Sequence, residues 1–171
     1  NGKIDLIIDK KIFLGLDPGL RKTGWAVIEV HKMKEKHIAN GVVNTSSKLP
    51  MVQRLENIYF KIQSILEKYS PKYASVEKVF VNKNAQSSLL LGQARGVVLL
   101  ALARGEICVG EYSPNEVKKN IVGYGHATKD QMIKMIEQIF PKINIKNEDS
   151  ADALALAICH SMHIKFKEKT L

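Results

Sequence analysis

One stretch near the start of the chain decides the fold: Lys11-Ile-Phe-Leu-Gly-Leu-Asp-Pro-Gly-Leu-Arg-Lys-Thr-Gly-Trp-Ala-Val-Ile28. It opens with a short apolar run, which is typical of a buried central strand, and the run ends on the carboxylate of Asp17. An acid at the end of a buried strand is costly unless another group compensates its charge, and a metal ion is the simplest such group. Asp17-Pro18-Gly19 is also ordinary turn chemistry, so acids elsewhere in the chain must decide between a turn and a site.

The composition describes a basic globular protein. Its 171 residues are enough for one domain with a substantial core, and 45% of them are hydrophobic. Lysine and arginine number 26 against 17 acidic residues, which gives a formal net charge of +9. This excess favours a polyanionic partner, with nucleic acid ahead of a membrane surface, although a basic protein without such a partner has the same composition.

The two cysteines, Cys108 and Cys159, lie far apart and inside apolar runs. We expect both to be small core residues of a protein in a reducing compartment. We do not expect them to form a disulfide framework or a zinc site. The longest strongly apolar run, Val97 to Ala103, is too short to cross a bilayer. These features predict a cytoplasmic location.

We expect a single domain over residues 11–164. Residues 1–10 are charged and lack a signal-peptide core, so we interpret them as an N-terminal extension or an expression remnant. Residues 165–171 are interpreted as a basic tail that is frayed and solvated.

Hydrophobic periodicity predicts an α/β fold. It indicates, in order, three strands, an amphipathic helix and a fourth strand, over residues 11–17, 25–30, 36–44, 50–69 and 73–80. Short connections make the first three strands an antiparallel meander, whereas the helical crossover makes the fourth strand parallel to the first. Because parallel strands end at the same edge of a sheet, Asp17 and Glu77 are expected to lie together there.

The next segment, residues 84–104, is apolar on all sides and predicts a helix that is buried over most of its surface. Ser88, Gly92 and Gly96 recur every fourth residue and form a groove of small residues. Such a groove permits the close approach of another helix, either within the chain or across a dimer. A fifth strand is predicted at residues 107–112.

Two capping boxes, Ser113-Pro-Asn-Glu116 and Thr128-Lys-Asp-Gln131, each predict the start of a helix. A third helix follows, rich in alanine and leucine. Asp149 and Asp152 lie three residues apart in its first turn, so both can face one point.

Four acids therefore form a candidate site: Asp17, Glu77, Asp149 and Asp152. Oxygen ligands at this density suit Mg²⁺ or Mn²⁺ rather than zinc. Two such ions can clamp the attacking and leaving oxygens of a phosphodiester displacement, one activating a water and the other stabilising the departing 3′ oxygen. Each acid also has an ordinary explanation, as an exposed strand residue, an N-cap or a favourable first-turn charge, so the argument depends on the combination.

Several motifs, in this order along the chain, resemble those of the RuvC-type Holliday-junction resolvases, and the resemblance runs from about residue 11 to residue 161. They are Leu16-Asp-Pro-Gly-Leu20 with Thr23-Gly-Trp25, Val76-Glu-Lys-Val-Phe80 with Lys83-Asn84, Leu91-Gly-Gln-Ala-Arg-Gly96, and Asp149-Ser-Ala-Asp-Ala-Leu-Ala155. The resemblance implies a ribonuclease H-like fold, with a five-stranded mixed sheet flanked by helices on both faces. It also implies a homodimer that nicks two like-polarity strands of a four-way DNA junction symmetrically, during homologous recombination and DNA repair. A RuvA–RuvB branch-migration complex would be its partner.

The resemblance also implies roles for single residues. The four acids fall on the family's metal ligands, which implies two Mg²⁺ ions per site, with Mn²⁺ as a substitute. Phe80 falls on an aromatic residue that stacks near the crossover, whereas Lys118 and Lys129 fall on basic positions near the scissile phosphates. From sequence alone Phe80 could equally be a core residue, and each lysine could belong to a solvated helix face. Further candidates for phosphate contacts are Arg21, Lys22, Lys83 and Arg95.

Three rival functions remain open at this point. The first is a nuclease of the same fold that acts on RNA or on simple duplex DNA. The second is an actin-like sugar or acetate kinase, whose phosphate loop also follows a first strand. The third is a DNA-binding module without activity, although four acids on a basic protein argue against it, because carboxylates repel phosphate unless a metal bridges them.

Overall fold

Five strands and five helices make up the part of the chain that the computed structural model describes, which is residues 10–79, 81, 83–143, 145 and 147–169. The strands are β1 Lys10–Asp17, β2 Lys22–His31, β3 Lys34–Asn44, β4 Tyr73–Glu77 and β5 Cys108–Tyr112. The helices are α1 Met51–Tyr69, α2 Ala85–Arg104, α3 Pro114–Val122, α4 Lys129–Ile139 and α5 Glu148–Lys169.

All five strands form one mixed sheet with the order β3-β2-β1-β4-β5. The first three strands are an antiparallel meander, and β4 and β5 run parallel to β1. Leu16 pairs with Val76, so the following residues, Asp17 and Glu77, end neighbouring strands at the same edge. The predicted strand directions and the predicted meeting of these two strand ends are confirmed.

Helices cover both faces of the sheet, and each face has its own hydrophobic core. Successive residues of a strand point to opposite faces, so Phe13 packs with α3, α4 and α5, whereas Leu14 packs with α1 and α2. The second core is closed by residues such as Ile58 and Ile62 of the amphipathic helix α1. This arrangement confirms the predicted α/β class and its two helical layers.

Helix α5 lies unusually close to the sheet, because glycines occupy the strand positions beneath it. A Cβ added to Gly15 would lie 1.8 Å from the carbonyl oxygen of Ala153, and one added to Gly24 would lie 2.0 Å from that of Asp149. Gly24 is also the strand partner of Asp17. The first turn of α5 is thereby placed at the sheet edge where β1 ends.

Both predicted capping boxes are present. The backbone N–H of Glu116 donates to Ser113 Oγ at 3.2 Å, and the N–H of Ser113 donates to Glu116 Oε2 at 2.6 Å. The reciprocal bonds between Thr128 and Gln131 measure 3.3 and 2.8 Å. These caps fix where α3 and α4 begin, and hence the positions of the lysines that follow each cap.

Three local expectations are wrong. Strand β4 ends at Glu77 and does not continue to residue 80. Cys108 is exposed at the start of the edge strand β5, and only Cys159 is buried in the core. The chain does not fray at Lys165, because α5 continues to residue 169 and the Lys165 ammonium donates to the carbonyl oxygen of Met33 at 3.1 Å.

Helix α2 departs most from expectation, because its surface is open along one side instead of buried on most sides. Leu89 and Leu100 are 70% and 56% exposed, and a Cβ added to Gly92 or Gly96 would meet nothing within 4 Å. By length and composition α2 could also cross a bilayer. The sequence prediction was based on the shorter run from Val97 to Ala103, which is too short to do so. Its other side packs on α1 and the sheet, so α2 is a core helix with one uncovered apolar face.

The tight contact at Gly15 gives a test of how α5 is placed. We expect Gly15→Ala to lower the free energy of unfolding by about 1–3 kcal/mol, because the new methyl group overlaps the α5 backbone. Gly125→Ala is the matched control, since its Cβ would meet Asn115 Cβ at an ordinary 3.6 Å. Urea denaturation measures both variants, and equal stability of the two would contradict this placement of α5.

Candidate active site

The candidate site lies at the sheet edge where β1 and β4 end. Asp17 and Glu77 are the last residues of these two strands, and their carboxyl groups share a hydrogen bond. Two carboxyl groups can share a hydrogen bond only if one of them holds a proton, so in the absence of a cation this pair carries less than its full charge.

The first turn of α5 brings two more acids to the same edge. The side chain of Asn147 accepts from the N–H of Ser150 at 2.8 Å, so Asn147 caps this helix end and Asp149 is not needed as a cap. The carboxylate of Asp149 is half-buried and lies 3.9 Å from the Lys22 ammonium. Asp152 follows on the same helix, where its carboxylate faces Glu77 and the two lysines described below.

Electrostatics shows that the four acids converge. Burial, as the largest cause, and then the nearby carboxylates of Glu77, Asp152 and Asp149, in that order, together raise the pKa of Asp17 to about 7. Burial and the charge of Asp152 likewise raise the pKa of Glu77. Burial also raises the pKa of Asp152, against the opposing effect of the Lys129 ammonium. The site therefore concentrates more negative charge than its surroundings neutralise.

The carboxylates do not form a finished coordination shell. Within the described part of the chain, no three side chains of Asp, Glu, His or Cys are arranged closely enough to hold a metal ion. Like charges repel, Asp17 and Glu77 are bound to each other, and Lys22 attracts Asp149 to one side. An all-oxygen donor set with excess negative charge nevertheless fits a hard divalent cation.

Two lysines border the acids, Lys118 and Lys129. Lys118 of α3 is close enough to Glu77 and Asp152 for its positive charge to oppose the rise in the pKa of both carboxyls. Lys129, the first residue of α4, places its ammonium 2.7 Å from Glu148 Oε2 and also acts on Asp152. Cations thus flank the acids on the side of α3 and α4, where a phosphate could be held.

The other predicted contacts have mixed outcomes. Arg21 and Lys83 are exposed, and Phe80 lies outside the described residues. Arg95 is not available for phosphate, because its Nε donates to the carbonyl oxygen of Glu77 at 3.3 Å and its guanidinium pairs with Glu111. Arg95 is therefore a positioning residue for the strand end that carries Glu77.

Sequence reasoning missed one further feature of the site, a cavity of about 420 Å³ between α3, α4 and α5. Glu77, Asp152, Lys118 and Lys129 lie on its lining, together with a set of apolar side chains. Apolar residues on separate helices gave no sequence signal of a shared cavity, because their spacing within each helix is the same as that of core residues.

A family model described as RuvC, crossover junction endodeoxyribonuclease, matches residues 13–160. The chain belongs to the RuvC family. RuvC proteins of Wolbachia sp. subsp. Brugia malayi (strain TRS) and of Rhodospirillum rubrum are each 49% identical over 148 residues, which cover 86% of this chain and 91% and 88% of theirs. The structure of T. thermophilus RuvC in complex with Holliday junction substrate matches with a TM-score of 0.87 and 28% identity, over 92% of this chain and 96% of that one.

Membership of the RuvC family confirms the predicted fold and the predicted activity. The ribonuclease H-like mixed sheet is that of RuvC structures, and the activity is that of an endodeoxyribonuclease on crossover junctions. RuvC enzymes hydrolyse phosphodiester bonds and are metal-dependent nucleases. The actin-like kinase considered as a rival is therefore wrong.

The raised pKa of Asp17 gives a test of the charge cluster without metal. The folded protein holds this proton more tightly than the unfolded chain, whose pKa is near 3.8, so the wild type loses stability as the pH rises through about 7. Asp17→Asn has no such loss. Its free energy of unfolding relative to wild type should rise by about 2 kcal/mol between pH 5 and pH 8 in EDTA, measured by urea denaturation.

Added Mg²⁺ supplies the second half of this test. It should raise the melting temperature of the wild type and of Glu148→Gln, an exposed acid outside the proposed ligand set, but raise that of Asp17→Asn much less. A stability difference that does not change with pH, or an equal Mg²⁺ response in all three proteins, would contradict the cluster.

Proposed function

We propose that this chain cuts four-way DNA junctions with Asp17, Glu77, Asp149 and Asp152 as the ligands of two Mg²⁺ ions, for which Mn²⁺ can substitute. The observation that most supports these ligands is the effect of the other three carboxylates on the pKa of Asp17, since it requires all three to lie near Asp17. Magnesium bound there would supply an activated water and stabilise the charge on the departing 3′ oxygen.

The chain's own residues bind and orient the strand. Lys118 and Lys129 hold the non-bridging oxygens of the scissile and neighbouring phosphates beside the acids. Arg21 and Lys83 contact the backbone of the junction arms, and Phe80 stacks on an unpaired base near the crossover. The net charge of +9 supports strong, salt-dependent affinity for the phosphate backbone.

The open face of α2 supports a homodimer. Leu89, Gly92, Gly96 and Leu100 lie along this face, and an uncovered apolar helix surface of this kind is unfavourable in water. The glycines allow a second helix to approach closely, so a second copy of α2 is the best-fitting cover. Arg95 lies in the middle of α2 and forms an ion pair with Glu111 of β5. A charged pair at this position favours protein rather than lipid as the surface that covers α2. A dimer would carry two active sites, as symmetric nicking of two like-polarity strands requires.

Three further proposals rest on the resemblance to RuvC-type resolvases. Residues 11–164 form the nuclease domain, with the segments before and after it outside the catalytic unit. A RuvA–RuvB branch-migration complex presents the junction. The protein works in the cytoplasm, in homologous recombination and DNA repair.

The acids can be tested separately from DNA binding. We expect Glu77→Gln and Asp152→Asn each to lower the cutting rate by about a hundredfold or more, because each removes one charge from the cation site. Neither should weaken junction binding, since the phosphate contacts come from lysines. A gel assay follows cutting of a four-way junction beside linear duplex and an RNA–DNA hybrid, and a mobility shift in Ca²⁺ measures binding.

Glu137→Gln is the control for these variants, because Glu137 is exposed on α4 and does not line the cavity. Retained cutting by either active-site variant would remove that acid from the mechanism. Preferential cutting of the RNA–DNA hybrid by the wild type would favour the rival nuclease of the same fold.

The dimer has its own test. Leu89→Glu places a charge on the α2 face and should convert the dimer to monomer and abolish paired nicking, because a buried unpaired carboxylate is costly. Met33→Glu is the matched control, since Met33 is also a half-exposed apolar residue but lies on the β2–β3 turn. Sedimentation equilibrium measures the mass of each protein. A wild-type monomer, or a Leu89→Glu dimer, would contradict the proposed interface.

A further inference from the structure

The cavity beside the acids has a divided lining. Its rim carries charge, with Glu77, Asp152 and Glu148 as anions and Lys118 and Lys129 as cations. Its interior is apolar and is formed by three helices: Val117 of α3, Met132, Ile133 and Ile136 of α4, and Ala155 and Leu156 of α5. With a volume of about 420 Å³, it lies within the usual range of small-ligand pockets, about 300–1,000 Å³.

Phosphodiester cleavage explains the rim but not the interior. A phosphate and its counter-ions need oxygen ligands and cations, whereas the interior offers only hydrocarbon and thioether surface. An open apolar cavity of this size is unfavourable in water, so it fits a ligand with an apolar body attached to an anion. The ligand must also reach the cavity from the point where the scissile phosphate is bound.

We propose that the cavity receives an unstacked nucleobase of the strand that is cut. This inference rests on the proposed function and concerns how the same site grips its substrate. A nucleotide is an anion joined to a flat body with apolar faces. With its phosphate between Lys118 and Lys129, the base of the same or the adjoining nucleotide lies over the mouth of the cavity. Bases beside a branch point have already lost a stacking neighbour, so extruding one is easier there than in continuous duplex.

The lining also determines how the base is recognised. Asn147 is the single neutral polar side chain among the described lining residues, and its Oδ1 already accepts from the N–H of Ser150. The interior therefore offers few hydrogen bonds to a base edge. Recognition depends on the shape and apolar surface of the base rather than on its donors and acceptors, in contrast to a pocket built for direct readout.

Modified junctions test this with the wild-type enzyme. An abasic residue, or the non-polar isostere 2,4-difluorotoluene, replaces the base at each nucleotide on either side of the scissile phosphate. At one of these positions we expect the abasic residue to slow cutting by about tenfold or more, because the stacking surface is lost. The isostere at that position should be cut within about threefold of the natural base, since it keeps shape and loses only hydrogen bonds.

A matched pair of variants connects this effect to the cavity. Ile133→Trp fills the interior, and Gln138→Trp adds the same side chain to an exposed position of α4. Ile133→Trp should cut natural and abasic junctions at similar, reduced rates. Gln138→Trp should cut the abasic junction more slowly than the natural one, by the same factor as the wild type. Circular dichroism melting confirms that each variant is folded.

The outcomes separate the two proposals. If the wild type cuts the unmodified junction but tolerates the abasic residue at every position, the cavity does not bind a base. A strong loss with the isostere would also overturn the inference, because it would show readout by hydrogen bonds. Failure of the wild type to cut the unmodified junction would overturn the proposed function itself.

Discussion

The backbone of α5 rests directly on β1 and β2 at Gly15 and Gly24, and the position of the candidate site depends on this contact. A side chain at either glycine would push the helix away from the sheet, because the atoms it would meet are backbone atoms that cannot move independently. The first turn of α5 carries Asp149 and Asp152, so the packing that closes one hydrophobic core also delivers two acids to the strand ends. The same helix–sheet contact therefore serves both core packing and assembly of the site.

Such an assembly destabilises the folded chain. Carboxylates from three separate segments of the chain are brought near one another, and burial together with their charges raises the pKa of Asp17 to about 7. Lys118 and Lys129 offset part of this repulsion, and a proton shared by Asp17 and Glu77 removes another part. The surplus negative charge that remains would attract divalent cations to the proposed site, so lower stability and the proposed metal binding have the same cause.

The sequence predicted those parts of the fold that depend on local chemistry. Strand periodicity and the crossover rule placed Asp17 and Glu77 at one sheet edge, and the two capping boxes located α3 and α4. It failed where an outcome depends on tertiary neighbours. An apolar setting alone does not show that Cys108 begins an exposed edge strand, nor does charge show that Lys165 is held by the β2–β3 turn. The cavity is formed by three helices, and no single segment carries its pattern.

Helix α2 shows a different limit, because an apolar sequence predicts burial without showing whether the same chain or another molecule covers the helix. Its sequence predicted burial on most sides, and a single copy leaves Leu89 and Leu100 uncovered. The same helix carries Arg95, whose guanidinium donates to the carbonyl oxygen of Glu77 and pairs with Glu111 on β5. The surface that a second copy would cover is thus connected through one side chain to the strand end that holds Glu77, a proposed metal ligand. A shift of α2 on association would reach the backbone of Glu77 through this hydrogen bond from Arg95.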